Sequence, residues 1–278
     1  MRTLPFYQLD VFSSVPFKGN PLAVIAEADG LDDGEMQAIA NWTNLSETTF
    51  LSRPKDAAAD YHVRIFTPDR ELPFAGHPTL GSCHAWLALG RQPRGDAIVQ
   101  ECGAGLVRLK RDGARLAFAA PPLKRSGEVE PGLRSRIAAS LGVAENAIKA
   151  AQWVDNGPGW VAVLLGSRRE VLALEHDSSL LPDQPLGVVA PWDAPRDGSE
   201  AHFEVRAFMS RGGEDPVTGS LNASLAQWLI GAGIAKPRYV AAQGTALGRA
   251  GRVHVAQEND TIWIGGDVAQ CVTGTIVV

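Results

Sequence analysis

Residues 78–88 read PTLGSCHAWLA and residues 216–226 read PVTGSLNASLA, with six of eleven positions identical. The shift from 78 to 216 is half of the 278-residue chain. Upstream of each copy stands a similar tetrad, Val63-Arg64-Ile65-Phe66 and Val205-Arg206-Ala207-Phe208, shifted by 142, so the first copy carries four more residues in its loop. Two matches in one order at nearly one shift imply a duplicated fold. Duplicated lobes are expected to face each other across a pseudo-twofold axis, and clefts between lobes commonly bind ligands. Residues 76–82 and 214–220 are therefore expected to converge on one cleft.

Around these copies, short apolar or alternating runs at 6–12, 22–25, 48–51, 62–66, 106–109 and 116–119 predict strands, with turn residues between them. Helical periodicity covers 33–43, 79–89, 132–141 and 220–230. The mixture is α+β rather than strict βαβ alternation. Residues 119–131, AAPPLKRSGEVEP, concentrate proline, glycine and charge without periodicity and are the expected linker between the lobes. The lobes are expected at 1–120 and 121–278, with the last strand open to packing back on the first lobe. Residues 181–201 hold Pro182, Pro185, Pro191 and Pro195 and are expected to form an irregular surface connection.

Composition narrows the function classes. Hydrophobic residues make up 45% and charged residues 21%, as in an ordinary globular protein. The net charge of −5 offers no whole-molecule positive field, so nucleic-acid and anionic-lipid partners are not expected. The basic-leaning stretch 108–136 is interrupted by Asp112, Glu128 and Glu130 and reads as a solvated surface. With no signal-peptide pattern and no long apolar run, a soluble cytoplasmic protein is expected. Cys83, Cys102 and Cys271 are scattered and odd in number, which predicts reduced thiols and neither a disulfide framework nor a zinc site.

The repeated elements carry the chemistry. Each is a proline- and glycine-containing turn opening a helix, and free N–H groups with the positive end of the helix dipole favour an anion there. Two such helix starts suit a carboxylate or an enolate-like intermediate. His77 precedes the first proline and Asp215 the second. Taken singly, Asp215 also fits a helix cap, and His77 also fits a hydrogen-bonded structural histidine; their matched positions point to a site. Glu47 lies between a helix fading near Thr43 and a strand-like run, where apolar and hydroxyl neighbours can desolvate a carboxylate and suit it to acid/base work. An exposed loop carboxylate is the other reading of Glu47.

Together these residues resemble the PhzF family, the phenazine-biosynthesis isomerase-like proteins, which are similar in fold to diaminopimelate epimerase. The matching pieces are Asp10-Val11-Phe12 with Phe17-Lys18-Gly19-Asn20-Pro21-Leu22-Ala23-Val24, Asn44-Leu45-Ser46-Glu47-Thr48, Arg64-Ile65-Phe66-Thr67-Pro68, Phe74-Ala75-Gly76-His77-Pro78-Thr79 and Glu214-Asp215-Pro216-Val217-Thr218-Gly219-Ser220. They occur in the family's order across nearly the whole chain. The resemblance implies two pseudo-symmetric lobes, each a mixed barrel-like β-sheet around a central helix, with the active site between them. It implies that Glu47 shuttles a proton between carbons while His77, Asp215 and Ser220 orient substrate and assist, and that Asn20, Ser46, Gly76 and Gly219 contact substrate. It further implies a homodimer and a small carboxylate substrate such as trans-2,3-dihydro-3-hydroxyanthranilate, isomerised with no metal or organic cofactor.

Two other readings stand beside this one. An amino-acid racemase or epimerase of the related two-thiol type needs a cysteine at each repeated turn, where this chain has Ala75, Gly76 and His77, then Asp215, with Cys83 a turn further into the helix. A non-catalytic member binding a small molecule or a protein would have no need of a complete acid/base set.

Overall fold

The computed structural model describes residues 1–210 and 212–278. The chain divides at Ala119/Ala120, and its last residues return: Met1–Ala119 with Gly265–Val278 form one unit and Ala120–Ile264 the other. In the first unit the order is β1 (Thr3–Val11), β2 (Asn20–Ile25), α1 (Asp33–Thr43), β3 (Glu47–Ser52), β4 (Tyr61–Phe66), β5 (Glu71–Leu72), α2 (Gly76–Ala88), β6 (Ile98–Cys102), β7 (Gly105–Asp112) and β8 (Arg115–Ala119). The second unit has β9 (Arg125–Glu128), α3 (Pro131–Ser140), β10 (Ala150–Asp155), β11 (Val161–Leu164), α4 (Arg168–Leu172), β12 (Leu186–Pro191), α5 (Ala194–Asp197), β13 (Phe203–Phe208), α6 (Gly219–Gly231), β14 (Arg238–Gln243) and β15 (Gly251–Glu258). After β16 (Thr261–Gly266), the final strand β17 (Val268–Val277) belongs to the first unit, where it pairs antiparallel with β1 from Thr3↔Val277 to Val11↔Val268.

The two units have the same pairing pattern. In the first, β1–β2 is antiparallel, β2–β3 parallel, β3–β4 antiparallel, β4–β6 parallel and β6–β7 antiparallel. In the second, β10–β11 is antiparallel, β11–β12 parallel, β12–β13 antiparallel, β13–β14 parallel and β14–β15 antiparallel. Even the flanking strand is repeated, since β17 pairs with β1 as β9 pairs with β10. Shared topology at the spacing of the sequence repeat makes the duplication structural.

Each unit wraps its sheet against one buried helix. A helix that is apolar on all sides has no solvent face and is driven inside. In α2, Gly76 through Cys83, Ala85 and Trp86 are buried; in α6, Gly219, Leu221 through Ala226 and Leu229 are buried. Close approach needs missing side chains. A Cβ on Gly81 would collide with Leu22 of β2, and one on Gly187 of β12 with Leu221 of α6. Each fully buried leucine at these contacts contributes about 1.5–3 kcal/mol of transfer free energy.

Three expectations need correction. Residues 181–201 are not simply a surface loop: β12 runs through them with Leu186 to Ala190 buried, because the apolar run between Pro185 and Pro191 is a core strand whose prolines stand at its ends. Residues 119–131 are not wholly a linker, since Arg125–Glu128 pairs with β10 through backbone bonds that leave every side chain exposed. The repeated turns also differ. Thr79 donates its N–H to Ala75 O at 3.2 Å, so α2 already begins at Gly76 and includes Pro78; the Thr218 N–H goes instead to Gln243 Oε1 at 3.0 Å, and α6 begins only at Gly219, after its proline. No helix among the described residues is long and apolar enough to cross a membrane.

The arginine of each duplicated tetrad does the same work. Arg206 Nε and Nη2 donate to Glu214 at 3.0 and 2.7 Å, and Nη1 donates to Val171 O and Leu174 O; Arg64 Nε and Nη2 donate to Glu71 at 2.7 and 2.6 Å. Planar bidentate pairing of this kind suits arginine and not lysine. The side chains of Arg206 and Glu214 are 10% and 8% exposed, whereas those of Arg64 and Glu71 are 23% and 42%. Arg206→Leu strands a buried carboxylate and is expected to cost about 3–5 kcal/mol, while Arg64→Leu costs about 1 kcal/mol or less; denaturant unfolding of the two variants measures the difference.

Candidate active site

In the first unit, three residues far apart in sequence meet. α1 opens with a capping box, Asp32 accepting from the Glu35 N–H and Glu35 accepting from the Asp32 N–H, and closes on Asn44 in the left-handed region. The chain thus turns directly into β3, whose first residue, Glu47, pairs with Leu22 of β2. Asn20 begins β2 behind Gly19, whose N–H is held by buried Asp10 Oδ2 at 2.7 Å and whose Cβ, if present, would collide with Val11 O. His77 is the second residue of α2.

His77 Nε2 lies 3.2 Å from Glu47 Oε2, and His77 Nδ1 lies 3.2 Å from Asn20 Nδ2. The imidazole side chain is 5% exposed and the carboxylate 15%. The Nε2 contact has the right length but falls short of hydrogen-bond alignment, as contacts in ligand-free sites often do. Burial pushes the His77 pKa down to about 3, so the ring is neutral near pH 7. A buried hydroxyl and amide network supports the helix beside it: Ser82 Oγ donates to Thr49 Oγ1 at 2.9 Å, and Gln100 Nε2 donates to Thr79 Oγ1 at 3.1 Å. Gly76 is buried at the helix start, and Ser46 is exposed in the turn before β3.

In the second unit, Asp215 holds the position corresponding to His77. Its backbone N–H donates to Ala207 O at 2.9 Å, and its Oδ2 accepts from Thr218 Oγ1 at 2.6 Å. That carboxylate bond goes to a side chain; the N-cap of α6 is Thr218, with no side-chain cap of its own. Fully buried Gln243 organises the turn, accepting from the Thr218 N–H and from Asn222 Nδ2 while donating to Asp215 O and Thr218 Oγ1. Ser220, second in α6 after buried Gly219, accepts from Trp160 Nε1 at 3.1 Å and keeps its own hydroxyl hydrogen to donate. Asn156 Nδ2 donates to Ser220 O at 3.0 Å.

Register shows where the halves differ. Thr48 pairs with Phe66 and Leu186 pairs with Phe208, so the residue corresponding to Glu47 through the following strand is Pro185; through the preceding strand it is Leu186. Either counterpart is apolar, so the duplication did not supply a second carboxylate at this position. Cys83 offers no alternative, because burial pushes its thiol up to about 12. Sequence reasoning missed Trp160, Asn156, Gln243 and Glu71, and it held Glu214 only as part of a motif, without its arginine partner. The one signal that could have found the glutamates was the repeated arginine of the tetrads.

Comparison with known proteins gives this geometry a family. Residues 9–274 match the model of the phenazine biosynthesis-like protein family, PhzC-PhzF. The chain is 36% identical over 293 residues to antisense-enhancing sequence 1 of Schizosaccharomyces pombe, covering 97% of each chain. It is 33% identical over 262 residues to trans-2,3-dihydro-3-hydroxyanthranilate isomerase of Pseudomonas aeruginosa, covering 90% of this chain and 89% of that one. A PhzF family crystal structure from Enterococcus faecalis superposes with a TM-score of 0.82 at 25% identity, covering 100% of both chains. The chain belongs to the PhzC-PhzF family, has its epimerase-like α+β fold, and is an isomerase by the company it keeps there.

The buried histidine sets an acid limit. With a pKa near 6.5 in the unfolded chain and about 3 when folded, His77 binds more protons unfolded across that window. Its contribution to stability is whole above 6.5 and is lost progressively as pH falls toward 3. His77→Gln is expected to flatten the loss of stability between pH 6.5 and 3 in denaturant titrations, leaving whatever decline the carboxylates cause.

Proposed function

We propose that this isomerase moves a proton between two carbons of a small carboxylate-bearing molecule, with Glu47 as both base and acid. The observation that carries this reading is a largely buried Glu47 carboxylate held against a neutral imidazole, at a position whose counterpart in the duplicated half is apolar. A two-base racemase calls for matched acid/base groups in the two halves, and the pair His77 and Asp215 does not supply like groups. One carboxylate that takes a proton and returns it needs no redox partner, so the reaction is a cofactor-independent isomerisation.

The remaining roles follow the chemistry of each group. His77, neutral, holds Glu47 and orients it. Asp215 and Ser220, with the amides at the start of α6 near Gly219, suit the polar groups and carboxylate of a substrate. Gly76 and Ser46 border the first-unit residues in sequence and are assigned to substrate contact. Because the relative from Pseudomonas aeruginosa is named for trans-2,3-dihydro-3-hydroxyanthranilate, that compound is the first substrate to test.

Proton NMR in deuterium oxide decides it. The unmodified protein is expected to isomerise the compound with solvent deuterium entering only part of the product, the rest keeping the proton that was moved, and Glu47→Gln to lose about 10²–10⁴-fold in rate. Undiminished turnover by Glu47→Gln contradicts the assignment of the acid/base. Absence of turnover by the unmodified protein removes this substrate and directs the same assay to other small carboxylates.

A further inference from the structure

Asn20 is fully buried, and its side-chain nitrogen faces His77 Nδ1 at 3.2 Å. An amide nitrogen has only hydrogens to offer, so Nδ1 must supply the lone pair and the single ring hydrogen of the neutral imidazole must sit on Nε2. That is the nitrogen standing 3.2 Å from Glu47 Oε2. The opposite arrangement, with the amide oxygen toward the ring, requires a hydrogen on Nδ1 and turns the Nε2 lone pair onto the carboxylate. With an ionised Glu47, only the first arrangement puts a donor opposite an acceptor at both contacts.

We propose that Asn20 is a positioning residue: it selects the Nε2-protonated, uncharged form of His77, which turns its one ring hydrogen toward Glu47 Oε2. This rests on the reading of Glu47 as the acid/base. Its physical consequence concerns charge. An imidazolium at this distance would favour the ionised carboxylate and weaken it as a base. Forming that cation would also require a hydrogen on Nδ1, against the Asn20 amide hydrogens. Burial acts in the same direction, holding the His77 pKa at about 3. The backbone at Asn20 is fixed for the task, with the Gly19 N–H on Asp10 and Asn20 itself paired with Val11.

The test is nitrogen-15 NMR of the histidine-labelled protein, with the His77 signals assigned by their disappearance in His77→Gln. The unmodified protein is expected to show a protonated Nε2 and an unprotonated Nδ1, unchanged between pH 8 and pH 5. In Asn20→Asp a carboxylate acceptor replaces the donor, and the ring is expected to gain a hydrogen on Nδ1, as the other tautomer or as imidazolium, while kcat falls about 10²-fold and KM stays within about threefold. A protonated Nδ1 in the unmodified protein overturns the proposal. So does an unchanged tautomer in Asn20→Asp, whatever its activity. If Asn20→Asp does not fold, the spectrum of the unmodified protein decides alone. Full turnover by Glu47→Gln would remove the acid/base reading while leaving the tautomer result standing, so the two failures are distinguishable.

Discussion

An arginine on the fourth strand of each repeat grips a glutamate shortly downstream, Glu71 of β5 or Glu214, and the rest of each unit is arranged around that grip. The pairing of Phe66 with Glu71, and of Phe208 with Glu214, fixes the loop to the strand at the same register in both units. From there the chain enters the buried helix, α2 or α6, and the residue at the entry, His77 or Asp215, takes its place by consequence. A helix with no solvent face has to be admitted through a defined door, because a shift of its first turn would displace every packed residue behind it. The ion pair costs desolvation and is weak evidence of net stability, but bidentate geometry gives it direction, and direction is what the helix start requires.

On this common frame the halves have diverged in opposite senses. The first encloses its helix start early, making a helical turn around Pro78, and places a carboxylate, an imidazole and an amide in line. The second delays its helix to Gly219 and spends Gln243 on the turn, so that Asp215, Thr218 and Ser220 stand ahead of the helix or in its first turn, each held by a named partner. Duplication supplied two similar platforms, and with Pro185 or Leu186 standing where the first has Glu47, only the first carries a carboxylate at this position. The buried thiol of Cys83, about two turns inside α2, is core.

Much of this was legible in the residues. The caps at Asp32, Glu35 and Asn44 give α1 its observed bounds, and the repeated elevenmer located both buried helices. What escaped did so for physical reasons. β12 lies among prolines that mark turns, yet its buried stretch Leu186 to Ala190 carries none. β9, RSGE, pairs by backbone alone and has no apolar alternation to read. The meeting of Asn20, Glu47 and His77 depends on the order of strands, which local pattern does not encode; only the family resemblance brought these three together before the fold did. Gln243 and Trp160 were invisible because a buried amide or indole signals nothing until its partner is known.

The account turns on one carboxylate serving as both base and acid. The most direct measurement follows the label when the substrate carries deuterium at the carbon from which the proton is taken and the protein works in ordinary water, with product collected in the first turnovers. A single carboxylate predicts that a measurable fraction of the deuterium reappears at the new position, because the group that removed it is the group that gives one back. Product containing only solvent hydrogen from the first turnover onward would contradict that account and call for a second proton donor.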